Sequence, residues 1–286
     1  MQIRTDLAIE QREDYADLPS GVTCTEENCS GGKVTKIVIK NNEGAKALSK
    51  PVGSYITVEV PNFTASAARE ESVILVANQL KNLIPKTGTV LVAGLGNRNI
   101  TPDALGPKCV NKVLATRHIE GDIARSVGLE NARSVAVIST GVLGQTGIEA
   151  FDIIKGVSEK VNPKAVIVID ALASRKSNRL GATVQMSDTG IEPGGGVGNA
   201  RYEISKKTLG VPVIAVGVPT VIDAATLVYD LTNGQTDFGK ISNREMFVTP
   251  REVDLLIDRA AALIADGINF ALQENLDKSF IREIVG

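Results

Sequence analysis

The sequence predicts an α/β protein: a mostly parallel sheet with helices on both faces, extended at its N-terminus by a β-rich segment. Three observations carry this reading. From residue 89 onward, short runs of Val, Ile, Leu and Ala alternate with stretches of helical periodicity, the pattern of right-handed βαβ crossovers. Aromatics make up 3% of the 286 residues and Trp is absent, so the core is aliphatic, as in strands buried on both faces. Before residue 89, two runs rich in β-branched residues, KVTKIVIK (33–40) and SYITVEV (54–60), read as strands. The length suits one large domain or a domain with a smaller lobe. We divide the chain into an N-terminal segment, 1–88, with two strands and a helix packed on the main domain, and an α/β main domain, 89–286.

Taken in order, residues 1–30 are polar and read as loop. The strands 33–40 and 54–60 follow, and Pro61 ends the second. Apolar residues at helical spacing predict a helix from Ser66 to Ile84, closed by Pro85 and Gly88. Strand 89–93 precedes a helix over about 102–117, and strand SVAVIST (134–140) precedes one near 147–160. Strand KAVIVID (164–170) leads into a polar, Gly-rich stretch running to about residue 200. Strand PVIAVGV (212–218) precedes a helix near 222–231, and a long helix covers roughly 250–273. In a sheet so connected, ligands bind beyond the carboxyl ends of the strands.

Bulk composition narrows the function. A net charge of −2, with no basic run and no interleaving of aromatic and basic residues, argues against a nucleic-acid partner. The longest apolar runs fall far short of the roughly 20 residues that span a bilayer, and the opening MQIRTDLAIEQRED is too polar for a secretory signal, so no membrane partner and a cytoplasmic location are expected. Cys24 and Cys29 form a C-x4-C pair in a polar stretch without a second pair or a nearby His, which reads as a reduced loop rather than a metal site. Cys109 falls within the helix over 102–117.

The motif search excludes more than it offers. After the strand TVLVA comes Gly94-Leu95-Gly96, but Asn99 stands where a dinucleotide fingerprint wants a third Gly, and the next strand ends Ser139-Thr140 without an acid for a ribose. A Walker lysine and G-x-S-x-G are both missing. The single His, His118, lies at the end of the helix expected over about 102–117 and reads as a surface or packed helix residue. Asp188-Thr189-Gly190 spells the D-T-G of pepsin-like proteases, but it occurs once, inside an α/β pattern, and reads as a turn.

Carboxylates remain. Asp103 follows Thr101-Pro102, a helix-start pair, so it is either an acid complementing the helix dipole or a catalytic group. Asp170 closes VIVID, a run that reads as fully buried, so it is either a structural acid bonded to loop amides or an acid emerging at the rim. Both sit at carboxyl ends of strands in one sheet. Two facing carboxyls share a proton, so one activates water while the other protonates the carbonyl or the leaving amine. Gly94, Gly96 and Asn97 of the first rim loop, and Gly141, Gly144 and Gly147 of TGVLGQTGIE (140–149), are expected to shape the site and admit a peptide backbone. Gly194–Gly198 reads either as a lid or as a plain connection.

Six separated blocks then carry a resemblance: RTDLA, GLGNRNITPDALGP, GVLGQTGIE, VIDALASR, QMSDTGIEPGGGVGN and GVPTVIDA. Together, over most of the chain, they resemble the germination proteases of spore-forming bacteria, atypical aspartic endopeptidases related in fold to hydrogenase maturation proteases. The resemblance implies catalytic aspartates at Asp103 and Asp170, no cofactor and no metal. It implies small acid-soluble spore proteins as substrates, degraded during germination, a homotetramer, and a cytoplasmic site in the forespore or spore core. It also implies a self-processing zymogen. The self-cleavage site is an acid followed by a large apolar residue and Ala, which Asp6-Leu7-Ala8 fits. On the residues themselves, Asp103 at a helix start is assigned as base, and Asp170 among apolar neighbours as acid. The alternatives are a metal-dependent maturation-type peptidase using His118, a nucleotide-binding protein without enzymatic activity, and an oligomeric scaffold whose acids are structural.

Overall fold

The computed structural model describes residues 5–65, 70–195, 201–232, 234–235 and 246–285. The chain starts with a short helix, α1 (Ala8–Arg12), and a hairpin of β1 (Val22–Cys29) and β2 (Gly32–Ile39). Helix α2 (Asn42–Leu48) and strand β3 (Gly53–Glu59) follow, then α3 (Glu70–Lys81) and β4 (Val90–Leu95). A 3-10 turn at Thr101–Asp103 runs into α4 (Leu105–Val110), followed by α5 (Gly121–Ser126) and β5 (Val135–Gly141). The second half comprises α6 (Leu143–Thr146), α7 (Ala150–Val161), β6 (Ala165–Ser174) and β7 (Thr183–Ser187). It ends with α8 (Lys206–Leu209), β8 (Val213–Asp223), α9 (Ala224–Leu231), β9 (Phe247–Val248), α10 (Val253–Leu272) and α11 (Lys278–Val285).

The α/β class holds. One nine-stranded sheet runs β1-β2-β3-β7-β8-β6-β4-β5, with β9 on β8. The strands β8, β6, β4 and β5 pair in parallel and form the expected block. Strands β1, β2, β3 and β7 continue the same sheet antiparallel, so the sheet is mixed. Helices α3, α4 and α10 cover one face, where α10 buries Leu256, Ile257, Leu263, Ile264 and Ile268. The other face is covered by α7 over the parallel strands and by Leu7, Ala8, Ile9 and Leu48 over the antiparallel ones. Helices α3 and α10 approach closely at Gly267, where a Cβ would lie 2.8 Å from Val76 Cγ1.

Several expected boundaries change. Residues 1–4 of the expected loop lie outside the described residues. Residues 5–30 are not all loop: Leu7–Ile9 are buried, and the stretch containing Cys24 and Cys29 is strand β1. Its pairing partner β2 is reached through Ser30-Gly31, with Gly31 at φ +95°. The polar edge of β1 needs only half-burial, which hides it from a hydrophobicity reading. The stretch from 171 to about 200 holds the end of β6 and all of β7. The start of the helix expected at Ser66 lies partly outside the described residues, as do Gly196–Gly198 of the expected lid. The helix expected over 102–117 ends at Val110. Beyond it, Val113 and Leu114 enter the core from irregular backbone, whose amides and carbonyls are held by Asn269: Leu114 N–H donates to Asn269 Oδ1 at 2.9 Å, and Asn269 Nδ2 donates to Lys112 O at 2.9 Å.

Candidate active site

The rim is set by where β4 stops. Its pairing with β6 runs from Val90↔Ala165 to Gly94↔Ile169 and then ends, while β6 continues to Ser174. Asp170 is therefore the first residue of β6 past its pairing with β4. On its other side it still pairs with Gly217 of β8. The sequence reading placed Asp170 at the end of its strand; the strand runs four residues further, and it is the departure of β4 that opens one edge at this acid. Asp170 is 6% exposed, and its Oδ1 accepts from Ala171 N–H at 2.9 Å.

The chain leaving β4 folds back at once. Gly106 lies so close to the strand ends that a Cβ would meet Leu95 O at 2.2 Å and Ile169 O at 2.7 Å. Gly94 faces the same turn, where a Cβ would meet Gly106 O at 2.4 Å. Between these two glycines the loop carries Asp103 inward. Gly96, at φ +105°, leaves room for it: a Cβ would be 2.1 Å from Asp103 O and 3.0 Å from its Oδ1. Asp103 Oδ2 accepts from Asn97 N–H at 2.7 Å, and Thr220 Oγ1 of β8 donates to Pro102 O at 2.8 Å. The helix that follows has six residues and sends no hydrogen bond to the carboxyl; the amide of the rim loop holds it instead.

The electrostatics join the two acids. Burial is the largest influence on Asp170 and pushes its pKa well above the usual carboxylate range; the charge of Asp103 is the second, that of Asp6 the third, and the Ala171 amide opposes them. Asp103 is raised less emphatically, by burial, against the Asn97 amide that favours its charged form. Burial and the neighbouring charge favour the protonated form more strongly at Asp170 than at Asp103.

Asn97 also ties this loop to the next. Its Oδ1 accepts from Gln145 Nε2 at 2.7 Å, within TGVLGQTGIE. In that second loop Gly141 has φ +66° and a Cβ there would touch Thr146 at 3.2 Å, whereas Gly144 and Gly147 face open space. His118 lies in an exposed turn beyond α4, not in a helix. Asp188 Oδ1 accepts from Ser54 N–H at 2.7 Å, so the D-T-G stretch ties a bend after β7 to β3. Among the described residues, no three His, Cys, Asp or Glu side chains are grouped as metal ligands.

The open edge of β6 is met by the N-terminal segment. Asp6 N–H donates to Ala173 O at 3.0 Å, and Ala173 N–H donates to Asp6 Oδ2 at 2.8 Å. Asp6 O accepts from Lys50 Nζ at 3.1 Å and from Gln185 Nε2 at 2.8 Å. Leu7 is fully buried. Neither Lys50 nor Gln185 carries a sequence signal: one reads as a surface Lys between α2 and β3, and the other sits in a strand that the local pattern does not reveal.

A family model described as germination protease matches residues 2–240. The chain belongs to the germination protease family. A germination protease of Clostridium perfringens is 44% identical, over 96% of this chain and 96% of its own. The germination protease of Caldanaerobacter subterraneus subsp. tengcongensis is 43% identical, over 99% and 98%. Among solved structures, a NiFe hydrogenase maturation protease HycI from Thermococcus kodakarensis KOD1 aligns with a TM-score of 0.39 and 15% identity, over 66% of this chain and 98% of that one. As a member of the germination protease family, the protein is a protease acting in spore germination. No helix among the described residues is long and apolar enough to cross a membrane.

Proposed function

We propose that the protein is an aspartic-type endopeptidase that cuts small acid-soluble spore proteins with Asp103 as base and Asp170 as acid. The observation that carries this reading is the pair itself: two carboxyls at adjacent strand ends, the charge of one raising the pKa of the other. Asp103 takes a proton from water as its oxygen bonds to the scissile carbonyl carbon, and Asp170 gives its proton to the carbonyl oxygen. In the second step the carbonyl re-forms, the C–N bond breaks, and the nitrogen leaves with a proton from the dyad. The pair titrates as a unit. Gly94, Gly96 and Asn97 set the position of Asp103, and Gly141, Gly144 and Gly147 give a polypeptide access to the rim. No cofactor enters this scheme.

The reading extends to a self-processing zymogen cut between Asp6 and Leu7, and to a homotetramer in the spore core. With Leu7 buried and the Asp6 carbonyl held by two donors, that bond is cut only after local opening of the segment.

The test is cleavage of a purified spore protein by Asp103→Asn and Asp170→Asn chains, each checked for folding by circular dichroism. Each substitution is expected to lower kcat by about 10³-fold or more, the upper range for a lost general acid or base. Full activity in either variant overturns the dyad.

A further inference from the structure

We propose that the open edge of β6 beyond Asp170, with Lys50 and Gln185, is the peptide-docking subsite of this rim, and that the chain's own Thr5–Asp6 segment fills it here. The proposal rests on the protease reading above and names where its substrate's main chain lies. An unpaired strand edge binds an extended peptide through main-chain hydrogen bonds, whatever the peptide's sequence. At Ala173 that edge is in use: its amide and carbonyl bond Asp6. Lys50 Nζ lies 3.4 Å from Thr5 O and 3.1 Å from Asp6 O. Gln185 spans the next peptide units, donating to Asp6 O and accepting from Ala8 N–H at 2.7 Å. These Lys50 and Gln185 hydrogen bonds are to main chain, so another extended segment can take them over unchanged.

Side-chain selection follows from the same contacts. The Ala173 amide receives a carboxylate, and Lys50 adds a positive charge beside it. The next residue enters an apolar cluster with Tyr55 and Leu172. The site therefore suits an acidic residue followed by a large apolar one. Lys50 is half-buried, where an ammonium is costly unless a partner needs it, and the charges of Asp6, Glu192 and Glu10 act on it. A cavity of about 360 Å³ beside it leaves room for more chain than the segment supplies. Its walls run from Lys50, Gln185 and Tyr55 to Leu172 and Gly217. Gly217 is the pairing partner of Asp170, so the wall of the cavity reaches the strand position next to the acid, although neither Asp170 nor Asp103 lines it.

The test measures binding without cleavage. A fluorescent peptide with the sequence of residues 2–9, QIRTDLAI, is titrated by anisotropy against full chains carrying Asp103→Asn. The tethered segment competes at high effective concentration, so the otherwise unaltered chain binds poorly. Asp6→Ala, which removes the carboxylate bonded to Ala173, is expected to tighten peptide binding by about tenfold. Adding Lys50→Met or Gln185→Met is expected to reverse that gain. In the Asp6→Ala chain, hydrogen exchange at the Ala173 amide is expected to slow at least about tenfold on saturation with peptide; this readout needs neither cavity variant to fold. No gain on release, no effect of either Met substitution in folded chains, or an Ala173 amide indifferent to peptide overturns the proposal. Lys50-dependent docking in a chain whose wild type cuts no peptide would sink the protease reading and leave this one. Normal cleavage with docking indifferent to Lys50 and Gln185 would do the reverse.

Discussion

At Asp170, chemistry and stability pull in opposite directions. A carboxyl 6% exposed, beside the charge of Asp103, is costly to ionise, which keeps the proton that the proposed mechanism donates. In the unfolded chain the same group titrates near about 3.9. Its folded pKa is raised, so its contribution to stability is full below that value and declines as pH rises toward the folded pKa. Asp170→Asn is therefore expected to raise Tm at neutral pH by about 2–4 °C, the shift for roughly 1 kcal/mol in a chain of this size, with a smaller gain near pH 4. Calorimetry at the two pH values checks this, and an equal gain at both would remove burial of the charge as the cause. Gly96 is bound to Asp103 by space: Gly96→Ala drives a methyl into the Asp103 carbonyl from a φ of +105°. We expect proteolytic activity to fall by about tenfold or more from a displacement of under 1 Å, measured as kcat on a spore-protein substrate with the secondary structure unchanged. Asp170 stood out in the sequence because an acid at the end of an apolar strand run is anomalous on its own terms, and Asp103 because it follows Thr101-Pro102 at a helix start on the same rim. Lys50 and Gln185 were not, because their meaning lies in the Asp6 carbonyl, more than forty residues away in sequence.

Elements with strong periodicity were legible, and elements that depend on a distant partner were not. The parallel strands β4, β5, β6 and β8 are continuous aliphatic runs, and α10 keeps its apolar spacing over 20 residues. Strand β7 has five residues, all buried, and looks like loop beside the Gly-rich stretch that follows. The short α4 is the instructive case. The apolar spacing through Val113 and Leu114 continues the helical pattern, yet the chain breaks at Val110 because Asn269 of α10 supplies replacement partners for Leu114 N–H and Lys112 O. Asn269 is 1% exposed, so its amide is a substitute for a missing helical turn. Asn269→Leu leaves both groups unpaired, at about 1–3 kcal/mol each. We expect a loss of about 2–5 kcal/mol in urea unfolding with an unchanged m-value. A loss under about 0.5 kcal/mol would mean that water reaches the segment.

Across the whole molecule, the antiparallel and parallel halves of the sheet are joined at the site by the N-terminal segment. The centre of that joint is Glu10, which has no exposed surface. Its carboxyl accepts from Arg175 N–H at 2.7 Å and Lys176 N–H at 2.9 Å, just past the end of β6, and bonds the Thr5 hydroxyl. Arg179 extends the joint, with Nε 3.5 Å from Glu10 and Nη1 3.3 Å from Glu59 of β3. Burial raises the Glu10 pKa despite these donors, so its charged form is costly and is held only while every donor is present. Glu10→Ala removes the acceptor and leaves two amides without partners, worth about 1–3 kcal/mol each if they stay buried. The loss falls on the segment and not on the aliphatic core, because none of these partners belongs to α3, α4 or α10. Hydrogen exchange at Asp6 and Ala8 is therefore expected to accelerate by about 10–100-fold, while the amides of Leu263 and Ile264 keep their rates. Equal acceleration at both places would show that the N-terminal segment and the helical face unfold as one unit, and that the rim cannot open by itself to admit a substrate.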